Sequence, residues 1–338
     1  MIHVLVTGGA GFIGSNFVRH ALQTHPDWRI TTLDKLTYAG RIETLADVMD
    51  DPRHTFVRGD IADPVVATPL VQRSEIVVHF AAETHVDRSI MAAGEFIKTD
   101  VIGTFVLLEA ARGATRLRRF VQISTDEVYG SRPEGHSREA DELRPRNPYS
   151  ASKAAADRLA YSYYATYDVP VVVVRPSNNY GPYQFPEKMI PLFVTNAIDS
   201  LPLPLYGDGG HVRDWLHVAD HCRALDVLIE KGENGEVYNV GGGSEVPNVD
   251  LTRQILKLVD RPASLIQPVK DRPGHDRRYA LDSTKARALG WAPSHPFANG
   301  LRETVEWYRA NAWWWRPIKD ADPAFKAYYE SQYGGRER

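Results

Sequence analysis

The 338-residue chain is 43% hydrophobic and 25% charged, ordinary globular proportions with room for two lobes or one large α/β unit with a cap. Its formal charge of −3 supplies no global basic field to gather nucleic acid or an anionic membrane, although local basic clusters still bind phosphate. The single cysteine, Cys222, excludes an intramolecular disulfide and reads as a small buried hydrophobe, and no apolar run reaches the ~18–20 residues of a membrane span.

The chain opens on MIHVLVTGGAGFIG, which lacks the basic start and cleavage site of a signal peptide and reads as a strand running into a glycine turn. A cytoplasmic location is expected. Further strands are expected at 30–34, 54–60, 76–82, 119–125 and 171–177, with helices at 14–24, 86–112 and 149–167 between them. Runs such as VVVV at 171–174 carry no polar alternation, as in parallel strands covered on both faces. This βαβ order predicts an α/β fold with a doubly wound parallel sheet. Residues 1–177 are expected to form the dinucleotide-binding half, and 178–338 mainly a smaller α/β substrate lobe, with segments near 213–241 returning to the first half. There, NNYGPYQFPEKMIP and LPLPLYGDGGHVRD are loop-rich, and RDWLHVADHCRALDVLIE reads as a strand and helix. PNVDLTRQILKLVD places Leu251, Ile255, Leu258 and Val259 on one helical face, and a last helix is expected in NGLRETVEWYRANAWWW. The tryptophans at 313–315 read as packing, and GGRER at 334–338 as a frayed end.

VTGGAGFIGSN contains two overlapping glycine patterns, through Gly9, Gly11 and Gly14 and through Gly8, Gly11 and Gly14. Either is weak alone, but here a strand precedes it and a helix follows. Glycines allow a tight turn and close approach to a pyrophosphate, while the helix start offers free N–H groups. Asp34 ends the second strand, where a carboxylate accepts from ribose hydroxyls and repels a 2′-phosphate. That favours NAD over NADP, with the neighbouring Lys35 pulling the other way. Asp60 ends the third strand as either an adenine contact or a turn former.

RNPYSASKAAAD reads as a helix start, with Asn147 as the cap and Pro148 at the first helical position. Tyr149 and Lys153 then share one face. An ammonium beside the phenol, with an oxidised nicotinamide, favours the phenolate as a base for a sugar hydroxyl. With STD one strand earlier, these residues resemble the extended short-chain dehydrogenase/reductase superfamily of Rossmann type. The resemblance implies a Ser/Thr–Tyr–Lys triad in which Thr125 is the third member.

ISTDEVYG places Asp126 and Glu127 at the carboxyl end of a strand, the edge where open α/β sheets bind ligands. Oxidation at C4 of a hexose acidifies its C5–H. Glu127 can then remove that proton while a protonated Asp126 assists departure of the C6 hydroxyl, since neighbouring acids push one pKa upward. At this point the match sharpens. GGAGFIGSN, DKLTYAG, HFAAETHVDRSI, STDEVYG, YSASKAAAD, NNYGPYQFPEKMIP, YGDGGHVRDWL and KDRPGHDRRYALD are similar to the nucleotide-sugar 4,6-dehydratases, from residue 1 to about 319.

The resemblance implies tightly held NAD, dTDP-glucose as substrate, its 4-keto-6-deoxy derivative as product, and a homodimer through helices near 92–112 and 149–167. It implies NAD contacts from Phe12 and Ile13, from Asp34, Lys35, Leu36 and Thr37, and from Asp60 and Ile61. Phe80, Ala81, Ala82, Thr99 and Asn179 complete that set. For substrate it implies Asn178, Lys188, Met189, Arg213, Asn248, Asp271, Arg272 and His275, with Pro204, Leu205 and Tyr206 lining the base pocket. Thr84 stands where serine is more usual and keeps the hydroxyl. Arg213 and Arg272 suit a diphosphate, being permanently charged bidentate donors. His85, His211 and His275 show no metal-ligand spacing, so no metal is expected. Alternatives are a UDP- or CDP-glucose dehydratase, a UDP-sugar 4-epimerase or a decarboxylase. The first rivals read the base differently, and the last two typically lack one or both acids. A silent NAD-binding scaffold would be expected to have lost Tyr149, Lys153 or the acids.

Overall fold

The computed structural model describes residues 1–334. All but the first residue of the expected frayed end therefore lies outside the described residues. Strands form in chain order as β1 (Ile2–Thr7), β2 (Trp28–Asp34), β3 (His54–Arg58), β4 (Ile76–His79), β5 (Arg119–Ile123) and β6 (Val171–Pro176). The second half adds β7 (Asn178–Tyr180), β8 (Leu203–Tyr206), β9 (Val212–His217), β10 (Val237–Val240), β11 (Glu245–Pro247) and β12 (Ile266–Val269).

Seven strands build one wholly parallel sheet in the order β10-β6-β5-β4-β1-β2-β3. Every residue of β6, VVVVRP, is buried, because helices cover both faces. One face packs on Phe12–Thr24 and Val218–Lys231 through Phe17, Val18 and Leu225, and Cys222 is buried there too. The other packs on Pro64–Gln72, Thr104–Arg112 and Pro148–Tyr167 through Leu70, Leu108 and Ala160. Strand β10 and the helix Val218–Lys231 belong to these layers although they follow β7–β9 in the chain.

The remaining strands form a β11-β9-β7 sheet and a parallel β8–β12 pair over a second core. Leu251, Ile255 and Val259 enter that core as their spacing predicts, with Trp314 and Trp315, while Trp313 stays exposed. No described helix is long and apolar enough to cross a membrane.

Three differences from the sequence-based expectation stand out. Strands 54–60, 76–82, 119–125 and 171–177 each end early, because their last residues leave the ladder to face a cleft. The expected helix 86–112 is broken at Ala92, whose φ of −144° and ψ of 60° are not helical, and it widens into a π-helical turn at Ile97–Gly103. A final helix, Pro323–Tyr333, was not suggested by periodicity; Asp322 caps it by accepting from Ala324 N at 2.8 Å.

Candidate active site

Loops at the carboxyl ends of β1, β4, β5 and β6 open into one cleft of about 400 Å³. It lies beside the β1/β4 switch, where strand order reverses and α/β sheets bind ligands. Every candidate residue lines this cleft except Leu36 and Asp271. Leu36, at φ +57°, turns its side chain onto the first core instead. Asp271 stands behind the wall, 2.6 Å from His275 Nδ1 and 3.2 Å from His211 Nε2.

That His–Asp–His group brings three ligand-type atoms within 4.8 Å of one another, a juxtaposition hidden by the long gap between His211 and His275. The two imidazoles stack at 3.7 Å and 15°. Nitrogens of parallel stacked rings aim their lone pairs side by side, so a shared ion would sit out of both planes. The arrangement suits an aspartate that fixes the ring of His275 in the cleft wall.

The glycine turn is shaped by close approach. Gly8 has φ +70°, and a Cβ there would come within 2.6 Å of Ala81 N; one on Gly14 would collide with the Gly8 carbonyl. Helix Phe12–Thr24 starts at Gly11 without a side-chain cap, leaving its first amides free for an anion. Asp34 accepts from Ala10 N at 2.9 Å and Leu36 N at 2.8 Å, one per oxygen. Each oxygen keeps a lone pair for a ribose hydroxyl. Lys35, the residue that could neutralise a 2′-phosphate, is held by Asp60 at 2.7 Å. These features fit NAD.

The helix Pro148–Tyr167 begins as its sequence dictates. Asn147 Oδ1 accepts from Ser150 N at 2.9 Å, and Ser150 Oγ reciprocates from Asn147 N at 3.3 Å. Tyr149 and Lys153 therefore face the cleft one turn apart. Lys153 Nζ donates to the Ile123 carbonyl at 2.6 Å, and burial holds its pKa down against Asp100 and Asp157. Burial, then the charges of Glu127, Asp100 and Asp126, push the Tyr149 phenol well above its ordinary value. The expected phenolate therefore depends on the positive nicotinamide ring as well as on Lys153.

Asp126 and Glu127 open a short 3₁₀ turn, Asp126–Tyr129, whose cap is Thr125. Thr125 Oγ1 donates to Asp126 Oδ1 at 3.1 Å and accepts from Glu127 N at 3.3 Å. Asp126 is buried and its Oδ2 has no partner among the described residues. Burial and the Glu127 charge raise its pKa well above the carboxylate range. For Glu127 burial also raises the value, but Arg272, Arg213 and Lys188 oppose it. One acid is thus poised protonated beside another that cations help to ionise.

Lys188 Nζ donates to Thr84 Oγ1 at 3.0 Å. The buried atoms Asn178 Oδ1 and Asn248 Oδ1 have no partner among the described residues. Arg213 lies over the Tyr279 ring at 4.4 Å, and Arg272 Nη1 donates to Asp87 Oδ1 at 3.3 Å. Among the wall residues that escaped the sequence reading are Asp87, Glu187 and Tyr333. The first two lie inside the quoted blocks HVDRSI and PEKMIP. Tyr333 comes from the last helix, beyond the matched blocks, and carried no sequence signal.

Strand order, glycine turn and Thr125–Tyr149–Lys153 grouping define an extended short-chain dehydrogenase/reductase. A family model described as GDP-mannose 4,6 dehydratase matches residues 5–304. The dTDP-glucose 4,6-dehydratase of Streptomyces niveus is 53% identical over 328 residues, covering 96% of this chain and 97% of that one. DesIV, the dTDP-glucose 4,6-dehydratase of Streptomyces venezuelae solved with NAD and dTDP bound, superposes with a TM-score of 0.91 at 49% identity, covering 94% of this chain and all of that one. Thermus thermophilus UDP-glucose 4-epimerase with NAD gives 0.85 at 32% identity over 92% of this chain and all of that one. The chain belongs to the nucleotide-sugar 4,6-dehydratase family and, within it, groups with the dTDP-glucose 4,6-dehydratases.

Proposed function

We propose that the chain converts dTDP-glucose to dTDP-4-keto-6-deoxyglucose with NAD regenerated in each turnover. The observation that carries this reading is the Asp126–Glu127 pair, the first buried and the second half-buried, on a turn in the same cleft as Tyr149 and Lys153. NAD, when bound, supplies oxidation at C4 and the closing reduction at C6. Gly8, Gly11 and Gly14 with the uncapped helix start would hold its pyrophosphate, and Asp34 its ribose. Lys188, Asn178, Arg213, Asn248 and Arg272 would hold the sugar and its diphosphate, with Pro204, Leu205 and Tyr206 around the base.

Tyr149 takes the proton of the C4 hydroxyl, and Thr125 holds the substrate in place. Once C4 is a ketone, the C5–H bond is acidic and Glu127 removes its proton. Asp126 protonates the C6 hydroxyl, which leaves as water. C5 finally regains a proton from an acid in exchange with solvent. An epimerase needs none of the elimination chemistry, which is why the two acids decide between readings on a shared fold.

Turnover of dTDP-glucose in heavy water is expected to give a 4-keto-6-deoxy product carrying deuterium at C5. A C4 epimer, or product without label there, would contradict the reading. Parallel runs with UDP- and CDP-glucose separate the base rivals, with dTDP-glucose expected to turn over fastest.

A homodimer is part of the proposal. Ile97, Ile102 and Phe105 are exposed on the segment 97–112, and Tyr161 and Tyr167 on the adjoining Pro148–Tyr167 helix, an apolar face of the kind that self-association covers. Phe105→Glu is expected to shift the sedimenting species from dimer to monomer; an unchanged mass would remove this face from the interface.

A further inference from the structure

Arg175, near the carboxyl end of β6, is fully buried and lies outside the cleft wall. Its Nε and Nη2 donate to Asp157 Oδ2 at 2.8 Å and Oδ1 at 2.9 Å, a bidentate pair between two buried groups. Its Nη1 donates to the Tyr129 hydroxyl at 2.7 Å and to the Glu139 carbonyl at 3.2 Å. Tyr129 donates onward to Asn239 Oδ1 on β10 at 2.8 Å, and Asn239 Nδ2 donates to the Ser137 carbonyl at 2.9 Å.

The two ends of this constellation sit on the two elements that carry the chemistry. Asp157 is one turn beyond Lys153 on the Tyr149 helix. Tyr129 closes the turn that begins with Asp126 and Glu127. Stability alone is a weak reason to bury such a pair, since well-packed hydrophobic residues of similar volume often serve as well or better. A planar guanidinium with donors in a rigid fork does offer something else, a fixed distance and angle between its partners.

We propose that Arg175, acting through Asp157 and Tyr129, is a positioning residue that holds the Asp126–Glu127 turn in register with the Tyr149 helix. One sugar pose then meets both the oxidation base and the elimination acids. The inference rests on the dehydratase reading above and adds the part that aligns its two steps.

Tyr129→Phe tests it, because that change removes the hydroxyl between guanidinium and turn and leaves the Arg175–Asp157 pair intact. A shift of the acids by a fraction of an ångström to one ångström is expected to lower kcat by about 100-fold. The substrate KM is expected to stay within about twofold, since ground-state binding is untouched. Reduced NAD should accumulate on the enzyme in the steady state, because oxidation proceeds while elimination lags. Calorimetric affinity for dTDP should not change. An unaltered kcat with only a lower Tm overturns the proposal, and so does a fall in kcat without accumulation of reduced cofactor. Should Tyr129→Phe fail to fold, Asn239→Ala frees the same hydroxyl on its other side, and the same readings decide. Failure of the unmodified enzyme to make the keto product would overturn the parent reading instead, so the two failures are distinguishable.

Discussion

Replacing Tyr149 by phenylalanine lowers kcat by about 10²–10⁴-fold, the usual contribution of a positioned general base, and leaves bound NAD oxidised when dTDP-glucose is added. The reason lies in the electrostatics of the cleft. Burial and the nearby charges of Glu127 and Asp100 favour the protonated phenol, and one of the three Lys153 ammonium protons goes to the Ile123 carbonyl. Ionisation therefore has to be drawn out by the positive nicotinamide ring, and the wild-type rate climbs with pH as the phenol is released. Phenylalanine fills the same volume and offers no proton acceptor, so the residual rate should lose that rise. A variant that still reduces NAD at the wild-type rate would take Tyr149 out of its role.

Glu127→Gln is expected to fail one step later. An amide cannot take the C5 proton, so turnover falls by about 10²–10⁴-fold. The Tyr149 helix is untouched, and part of the bound NAD is reduced on mixing with substrate, visible as near-ultraviolet absorbance. The variant also removes the charge that helps to raise the Asp126 pKa, so Asp126 should protonate less readily. The contrast between the two variants is diagnostic: oxidised cofactor in the first, reduced in the second. Undiminished turnover by Glu127→Gln would remove that carboxylate from the elimination.

What the sequence showed was what depends on nearby residues. The glycine turn and Asp34 are separated by a single helix, and the β-branched run VVVV at 171–174 suits a strand covered on both sides. The Asn147 cap and the Tyr149–Lys153 spacing are likewise contained within seven residues. Long-range juxtapositions stayed hidden. His211 and His275 meet on Asp271 only because β9 and the loop after β12 converge. Tyr333 reaches the cleft from a helix whose own pattern says nothing about a ligand. The order of charges also escaped, since the sequence places Lys153 next to Tyr149 but not the Ile123 carbonyl that engages it.

The placement of β10 bears on how such a molecule can be altered. This outermost strand comes from sequence beyond β7, β8 and β9, so the chain leaves the parallel seven-strand sheet, builds part of the second core, and comes back. Severing it at residue 177 would strip β6 of its β10 neighbour and bare a row of unpaired amides on a wholly buried strand, an invitation to aggregate. Neither layer system is a single continuous stretch of chain that one cut would separate. Changes of substrate in this architecture must come through loops at the cleft rim, with the woven frame passed on whole.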